Sequence, residues 1–241
     1  SVSINLPRAA YRALKYGTTI EQEINEVFEV AEKVLMKKKA LLEKELRVKG
    51  SKLPFCAGKI PDILGLSGQI MFDMRKQSLS VGFVGLNECV KALCGKELHE
   101  QEGYELGKKI LEHLDYICLK ASSRNGIKFS LWEQPAESTA NTFAKKDLQY
   151  MKEYAEKYVL GTERKNAYYT NSSHIRYDAK NIQLWELIQK QGDLHPIVKG
   201  GVITHIWLGD RTPDPDALWE LTKNICKTTN TAYFSYTFEF S

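Results

Sequence analysis

The stretch Phe129-Ser130-Leu131-Trp132-Glu133-Gln134-Pro135-Ala136-Glu137-Ser138-Thr139-Ala140-Asn141 passes from a strand-like apolar run through a tight link into a helix start. Proline, an acidic residue and hydroxyls are what a first helical turn prefers. Strand, short link and helix in succession form the unit from which α/β folds are built. The same backbone leaves several N–H groups pointing outward at the positive end of the helix dipole, where a phosphate can be held without Lys or Arg. On these residues alone two readings stay open. One is simple capping; the other is an anion cradle in which the Glu137 charge turns away or binds a sugar hydroxyl.

The same alternation continues on both sides. Strands are predicted at residues 79–84, 127–132, 167–170, 202–207 and 231–236, with a strand-like opening at Val2-Ser3-Ile4-Asn5-Leu6. Helices are predicted at 87–93, 102–120, 137–158 and 216–228. Strands separated by helices imply parallel pairing. From residue 20 to 48, Ile20, Ile24, Val27, Phe28, Ala31, Val34, Leu35, Leu41, Leu42 and Leu46 recur at three- and four-residue steps, which predicts one long amphipathic helix. Its apolar stripe fits burial against a sheet or a short coiled-coil seam, and its Lys37-Lys38-Lys39 run reads as a solvated face rather than a phosphate site. Residues 50–54 and 172–201 are read as loops, the second long enough to carry function.

Composition excludes several classes. With 241 residues, 43% apolar and 27% charged, the chain is not disordered, and 34 Lys+Arg against 30 Asp+Glu leave a formal +4, too small and scattered to point to nucleic acid. No apolar run reaches the roughly 20 residues that span a bilayer, and Ser1 to Arg8 lack a signal-peptide layout, so a soluble cytoplasmic protein is expected. Five cysteines, Cys56, Cys89, Cys94, Cys118 and Cys226, form no C-x-x-C pair and give neither a disulfide framework nor a metal spacing. The start without Met on a strand and the stop inside Tyr233-Phe234-Ser235-Tyr236-Thr237-Phe238-Glu239-Phe240 read as a segment of something longer.

A second polar cluster, Tyr168-Tyr169-Thr170-Asn171-Ser172-Ser173-His174, follows a predicted strand, and the carboxyl ends of parallel strands are where α/β folds bind ligands. His174 can exchange protons near neutral pH, although no carboxylate is close in sequence to orient it, and a structural histidine fits equally well. Gly82 and Gly85 at a strand exit, and Gly200-Gly201 before Val202, read as places of close backbone approach.

These motifs, taken in order with Ser3-Ile4-Asn5-Leu6-Pro7-Arg8, Ser80-Val81-Gly82-Phe83-Val84-Gly85-Leu86-Asn87-Glu88 and Pro135-Ala136-Glu137-Ser138, resemble the anaerobic (class III) ribonucleoside-triphosphate reductases. The resemblance implies an α/β fold, the C-terminal half of a ten-stranded barrel, with residues 1–241 forming one part of that catalytic domain. It implies a glycyl-radical oxidoreductase that reduces ribonucleoside triphosphates, with formate or a thiol as reductant. Rival readings are another glycyl-radical enzyme or a non-catalytic nucleotide-binding relative. The implied thiyl cysteine, radical glycine and zinc cysteines are expected outside this segment, so no catalytic or metal residue is assigned within it. S-adenosylmethionine and an iron–sulfur cluster are expected only in a separate radical-SAM activating enzyme. Nucleotide effectors and a homodimer are further implied partners, and nucleic acid and membrane are not. Carried over by position, Glu137, Ser138, Thr139 and Ala140 correspond to a substrate-phosphate cradle, and Asn5, Asn171, Ser172 and His174 to substrate contacts. Ser173 departs from the resemblance, which expects phenylalanine there.

Overall fold

The computed structural model describes residues 1–47, 76–161, 166–209 and 212–238. Cys56 and the predicted loop at 50–54 lie outside them. Three parallel strands, β1 (Val2–Asn5), β2 (Ser78–Val84) and β3 (Lys128–Trp132), pair in sequence order, with Ile4 opposite Phe83 and Val81 opposite Leu131. A second parallel pair, β4 (Thr204–Gly209) and β5 (Phe234–Phe238), forms its own sheet. The alternating strand and helix pattern is therefore an α/β fold with parallel strands, as expected.

Helices α1 (Leu6–Tyr16) and α2 (Ile20–Arg47) lead from β1 to β2, and α3 (Leu86–Cys94) and α4 (Gln101–Asn125) lead from β2 to β3. Helix α1 was not predicted, although its signals are local. Asn5 caps it by accepting the Arg8 N–H at 3.1 Å, Pro7 sits in its first turn, and Gly17 ends it in the left-handed region at φ 68°. Helix α2 has 28 residues, about 42 Å of length. Ile20, Ile24, Phe28, Ala31 and Leu35 are buried in the main core, so sheet burial explains that stripe. Lys39 pairs with Glu43 and Lys38 reaches the Ser1 carbonyl, as a solvated lysine face would.

The predicted helix at 137–158 breaks at Met151 into α5 (Glu137–Tyr150) and α6 (Lys152–Tyr158). Two further predictions are corrected. Residues 167–170 form no strand: Tyr168 makes one antiparallel bridge to Leu160, and the following carbonyls accept from the β2 exit instead, Thr170 O from the Gly85 N–H at 2.9 Å and Ser172 O from the Leu86 N–H at 3.2 Å. The stretch read as one long loop contains α7 (Leu184–Leu194), whose Ile188 and Leu194 are buried. Helix α8 (Pro215–Thr228), capped by Asp214, crosses from β4 to β5.

Gly85 shows why the β2 exit needs glycine. Its φ is 77°, and a Cβ there would stand 2.5 Å from Pro7 Cγ. Gly200 and Gly201 run alongside the end of β3, where the Gly200 N–H donates to Leu131 O at 2.7 Å and Gly201 O accepts from the Glu133 N–H at 2.9 Å. A Cβ on Gly200 would meet Leu131 O at 2.6 Å.

Candidate functional site

At the carboxyl ends of β2 and β3, the 170–174 loop, the start of α5 and the first residues of β4 surround a cavity of about 270 Å³. Its walls include Glu137, Ala140, Asn171 and His174, four of the residues singled out in the sequence. Ser138 is exposed beside them and Thr139 half-buried, on the same first turn of α5. No side chain caps that turn. Ala136 is the N-cap residue, so the hydroxyls of Ser138 and Thr139 do not satisfy the leading N–H groups. Among the described residues side-chain capping, one of the two readings of this stretch, is absent, and the amides ahead of Ala140 are open to an external acceptor or water.

Ser172 stands behind the wall rather than in it. It is fully buried, with its Oγ 3.1 Å from Gln134 O and 3.2 Å from Phe83 O, so its one hydrogen is shared between the ends of β3 and β2. Its φ of 37° is unusual for a residue with a side chain and holds the loop in a sharp bend over both strand ends.

His174 does have a carboxylate partner, supplied from 41 residues earlier by Glu133. Glu133 Oε1 lies 3.1 Å from His174 Nε2 and accepts from the Ser173 N–H and Ser173 Oγ at 3.2 Å each, while Oε2 accepts weakly from the Ile203 N–H at 3.4 Å. Burial pushes the Glu133 carboxyl above the usual carboxylate range, and His174 and the Ser173 donors oppose that shift. Nε2 of His174 also lies 2.9 Å from Ile203 O. With two acceptors facing it, Nε2 carries the hydrogen. The hydroxyl of Ser173 thus serves Glu133, a bond that phenylalanine at this position could not make. Sequence reading passed over Glu133, although it sits in the quoted stretch; an acidic residue directly after an apolar strand was the available signal.

Two more buried carboxylates fix the surroundings. Glu88, on the first turn of α3, accepts from the Thr170 N–H at 2.8 Å and from Thr170 Oγ1, and burial raises its pKa. Asp147, fully buried on α5, accepts from Asn5 Nδ2 at 2.8 Å and Tyr169 Oη at 2.8 Å and forms an ion pair with Arg8. Asn5 is thereby spent on α1 and Asp147. It lines a different cavity, of about 280 Å³, with Arg8, Arg12 and Glu23, so the structure does not bring it to the residues around His174.

The described cysteines are dispersed, with Cys89 and Cys118 buried and Cys226 exposed. Burial raises both buried thiols, Cys118 to about 12, which keeps them protonated. Among the described residues no group of three or more His, Cys, Asp or Glu side chains could hold a metal ion, and no helix is long and apolar enough to cross a membrane.

Comparison with known proteins gives the chain its relatives. The family model described as "Anaerobic ribonucleoside-triphosphate reductase" matches residues 1–241. The anaerobic ribonucleoside-triphosphate reductase of Escherichia coli (strain K12) is 27% identical over 209 residues, which are 85% of this chain and 28% of the relative. That of Enterobacteria phage T4 is 29% identical over 141 residues, 58% of this chain and 20% of the relative. The chain therefore spans under a third of the length of these curated relatives. Among solved structures, the anaerobic ribonucleotide reductase from Thermotoga maritima with citrate in the active site superposes with a TM-score of 0.73 at 19% identity, over 98% of this chain and 39% of that one. The same enzyme in complex with dATP and CTP gives 0.71 at 19% identity over 98% of this chain and 36% of that one, a likeness that speaks for the fold. With a family model matching every residue, the chain belongs to the anaerobic ribonucleoside-triphosphate reductase family.

Proposed function

We propose that this chain forms part of the catalytic barrel of a glycyl-radical ribonucleotide reductase and binds the ribonucleoside triphosphate substrate. The observation that carries the proposal is the uncapped start of α5 opening onto the same cavity as Asn171 and His174. Amides of Glu137, Ser138, Thr139 and Ala140 at the positive end of the helix dipole suit the triphosphate, although Ala140 N–H is already bonded to Ala136 O. Asn171 and His174 face the sugar, and Ser172 sets their loop. Asn5 approaches substrate only through its second cavity, which lies next to Arg8.

In this reading the radical glycine, the thiyl cysteine and the zinc cysteines belong to parts of the polypeptide outside this segment. No step is assigned to the buried thiols here, and the residues in hand bind, orient and exclude water. Formate or a thiol reductant, nucleotide effectors, an activating enzyme, a second subunit and a cytoplasmic setting belong to the same reading of the whole polypeptide.

A proline substitution tests a backbone cradle directly, because it removes an N–H and leaves charge unchanged, and the first helical turn tolerates it. Ser138→Pro is expected to weaken binding of a ribonucleoside triphosphate by about tenfold, the equivalent of one lost charge-assisted hydrogen bond. Unchanged affinity by titration calorimetry, in a variant with an unaltered melting temperature, sinks the cradle.

A further inference from the structure

Opposite the start of α5, the cavity is walled by aromatic rings. Strand β4 alternates: Thr204 and Ile206 are buried, while His205 and Trp207 point to the other face. Trp207 is 48% exposed, and Tyr177 and Tyr168 beside the same cavity are 70% and 38% exposed. The rings form a connected set. His174 meets His205 edge-on at 5.3 Å, His205 lies 6.2 Å from Trp207, and Tyr177 lies 6.3 Å from Trp207 with their planes inclined by 50°.

The charges at the two ends of the cavity differ. Arg176 is the cation among the described lining residues, and its guanidinium is bound to Asp178 rather than turned to an anion at the aromatic end. The start of α5 offers amides. A ligand that is anionic at one end and a neutral planar ring at the other fits this division, with the ring over the indole and phenol faces where stacking and burial act together.

We propose that Trp207 and Tyr177 form the stacking wall for the nucleobase of the ribonucleoside triphosphate whose phosphates lie at the start of α5. The proposal rests on the phosphate reading given above. Stacking accepts any base, so this wall supplies affinity for a nucleoside over a bare phosphate, and the choice among bases falls to edge contacts such as those Asn171 and Gln191 can make.

The experiment compares three probes on the protein by titration calorimetry: a ribonucleoside triphosphate, inorganic tripolyphosphate and the unphosphorylated nucleoside. The triphosphate is expected to bind about 5- to 150-fold more tightly than tripolyphosphate, the range for one stacked base. Trp207→Ala should erase most of that advantage and leave tripolyphosphate binding unchanged, and Trp207→Phe should keep part of it. Tyr177→Ala, at a more exposed position, should cost less and guards against misfolding of the first variant. Equal affinity of the wild type for triphosphate and tripolyphosphate overturns the stacking wall and leaves the phosphate cradle standing. Nucleoside binding that needs Trp207, with no tripolyphosphate binding, supports the wall and overturns the cradle. If Trp207→Ala and Tyr177→Ala both retain the full advantage, the base lies elsewhere and the proposal fails.

Discussion

The two sheets are built to different standards. Around β1, β2 and β3 lies one continuous core in which Val81, Phe83, Val84, Leu86, Leu111, Leu114 and Leu131 are fully buried, threaded by the carboxylates of Glu88, Glu133 and Asp147. The pair β4 and β5, with α7 and α8, encloses a small cluster of Ile188, Ile206 and Ile225, and leaves Trp207 on β4 and Trp219 on α8 exposed. Buried carboxylates demand fixed partners, so the first region holds its geometry at every strand end. Exposed aromatics demand nothing, so the second region can present rings to a ligand. The site lies where the two meet.

The comparison breaks most decisively at Asp147. Asp147→Ala leaves Arg8, Asn5 and Tyr169 without their shared acceptor and is expected to cost about 3–5 kcal/mol, read as a lowered denaturation midpoint. A loss under about 1 kcal/mol would mean that the polar network of the first region is not what orders it.

A matched pair of core truncations sharpens the contrast. Leu131→Ala should cost about 3–4 kcal/mol and weaken the whole molecule. Ile206→Ala should cost about 2 kcal/mol and speed hydrogen exchange chiefly in β4 and β5, since a small cluster opens locally before the main core does. Uniform exchange across both sheets in the second variant would show that they unfold as one.

Acid should find the second region first. His195 is buried, accepts from the Ala232 N–H at Nδ1 and faces Thr204 Oγ1 from Nε2, both at 2.9 Å, so it ties the starts of β4 and β5 together in its neutral form. Burial, aided by His174, lowers its pKa from 6.5 to about 4. The unfolded chain takes up the proton first as pH falls. The stabilisation is thus complete above pH 6.5 and lost on the way down to about pH 4, an effect on the order of 3 kcal/mol. His195→Gln should flatten that part of the stability profile; an unchanged acid slope removes His195 from the explanation. At the small end, Lys37→Ala should change stability by less than about 0.5 kcal/mol, as on any solvated helix face.

Much of the first region was legible because its signals are local. The apolar stripe of Ile20, Ile24, Phe28, Ala31 and Leu35 encodes both a helix and its buried side, and Gly85 announces a backbone that no other residue could follow without meeting Pro7. Residues 167–170 misled because Tyr168, Tyr169 and Thr170 have strand propensity, yet their partners turned out to be a strand exit and the Glu88 carboxylate. Helix α7 carries Leu184, Trp185, Leu187, Ile188 and Leu194 at helical spacing, but it is only 11 residues long and sits in a polar stretch.

The sequence by itself determined the α/β class, the parallel pairing and the family's ordered motifs, because periodicity and backbone permissiveness act between residues a few positions apart. Only the tertiary structure decided that Glu133 orients His174, that Asn5 belongs to Asp147 rather than to the His174 cavity, and that Trp207 faces the start of α5. Those pairings join residues up to 142 positions apart, and their distances follow from how the strands and helices pack, which no local pattern records.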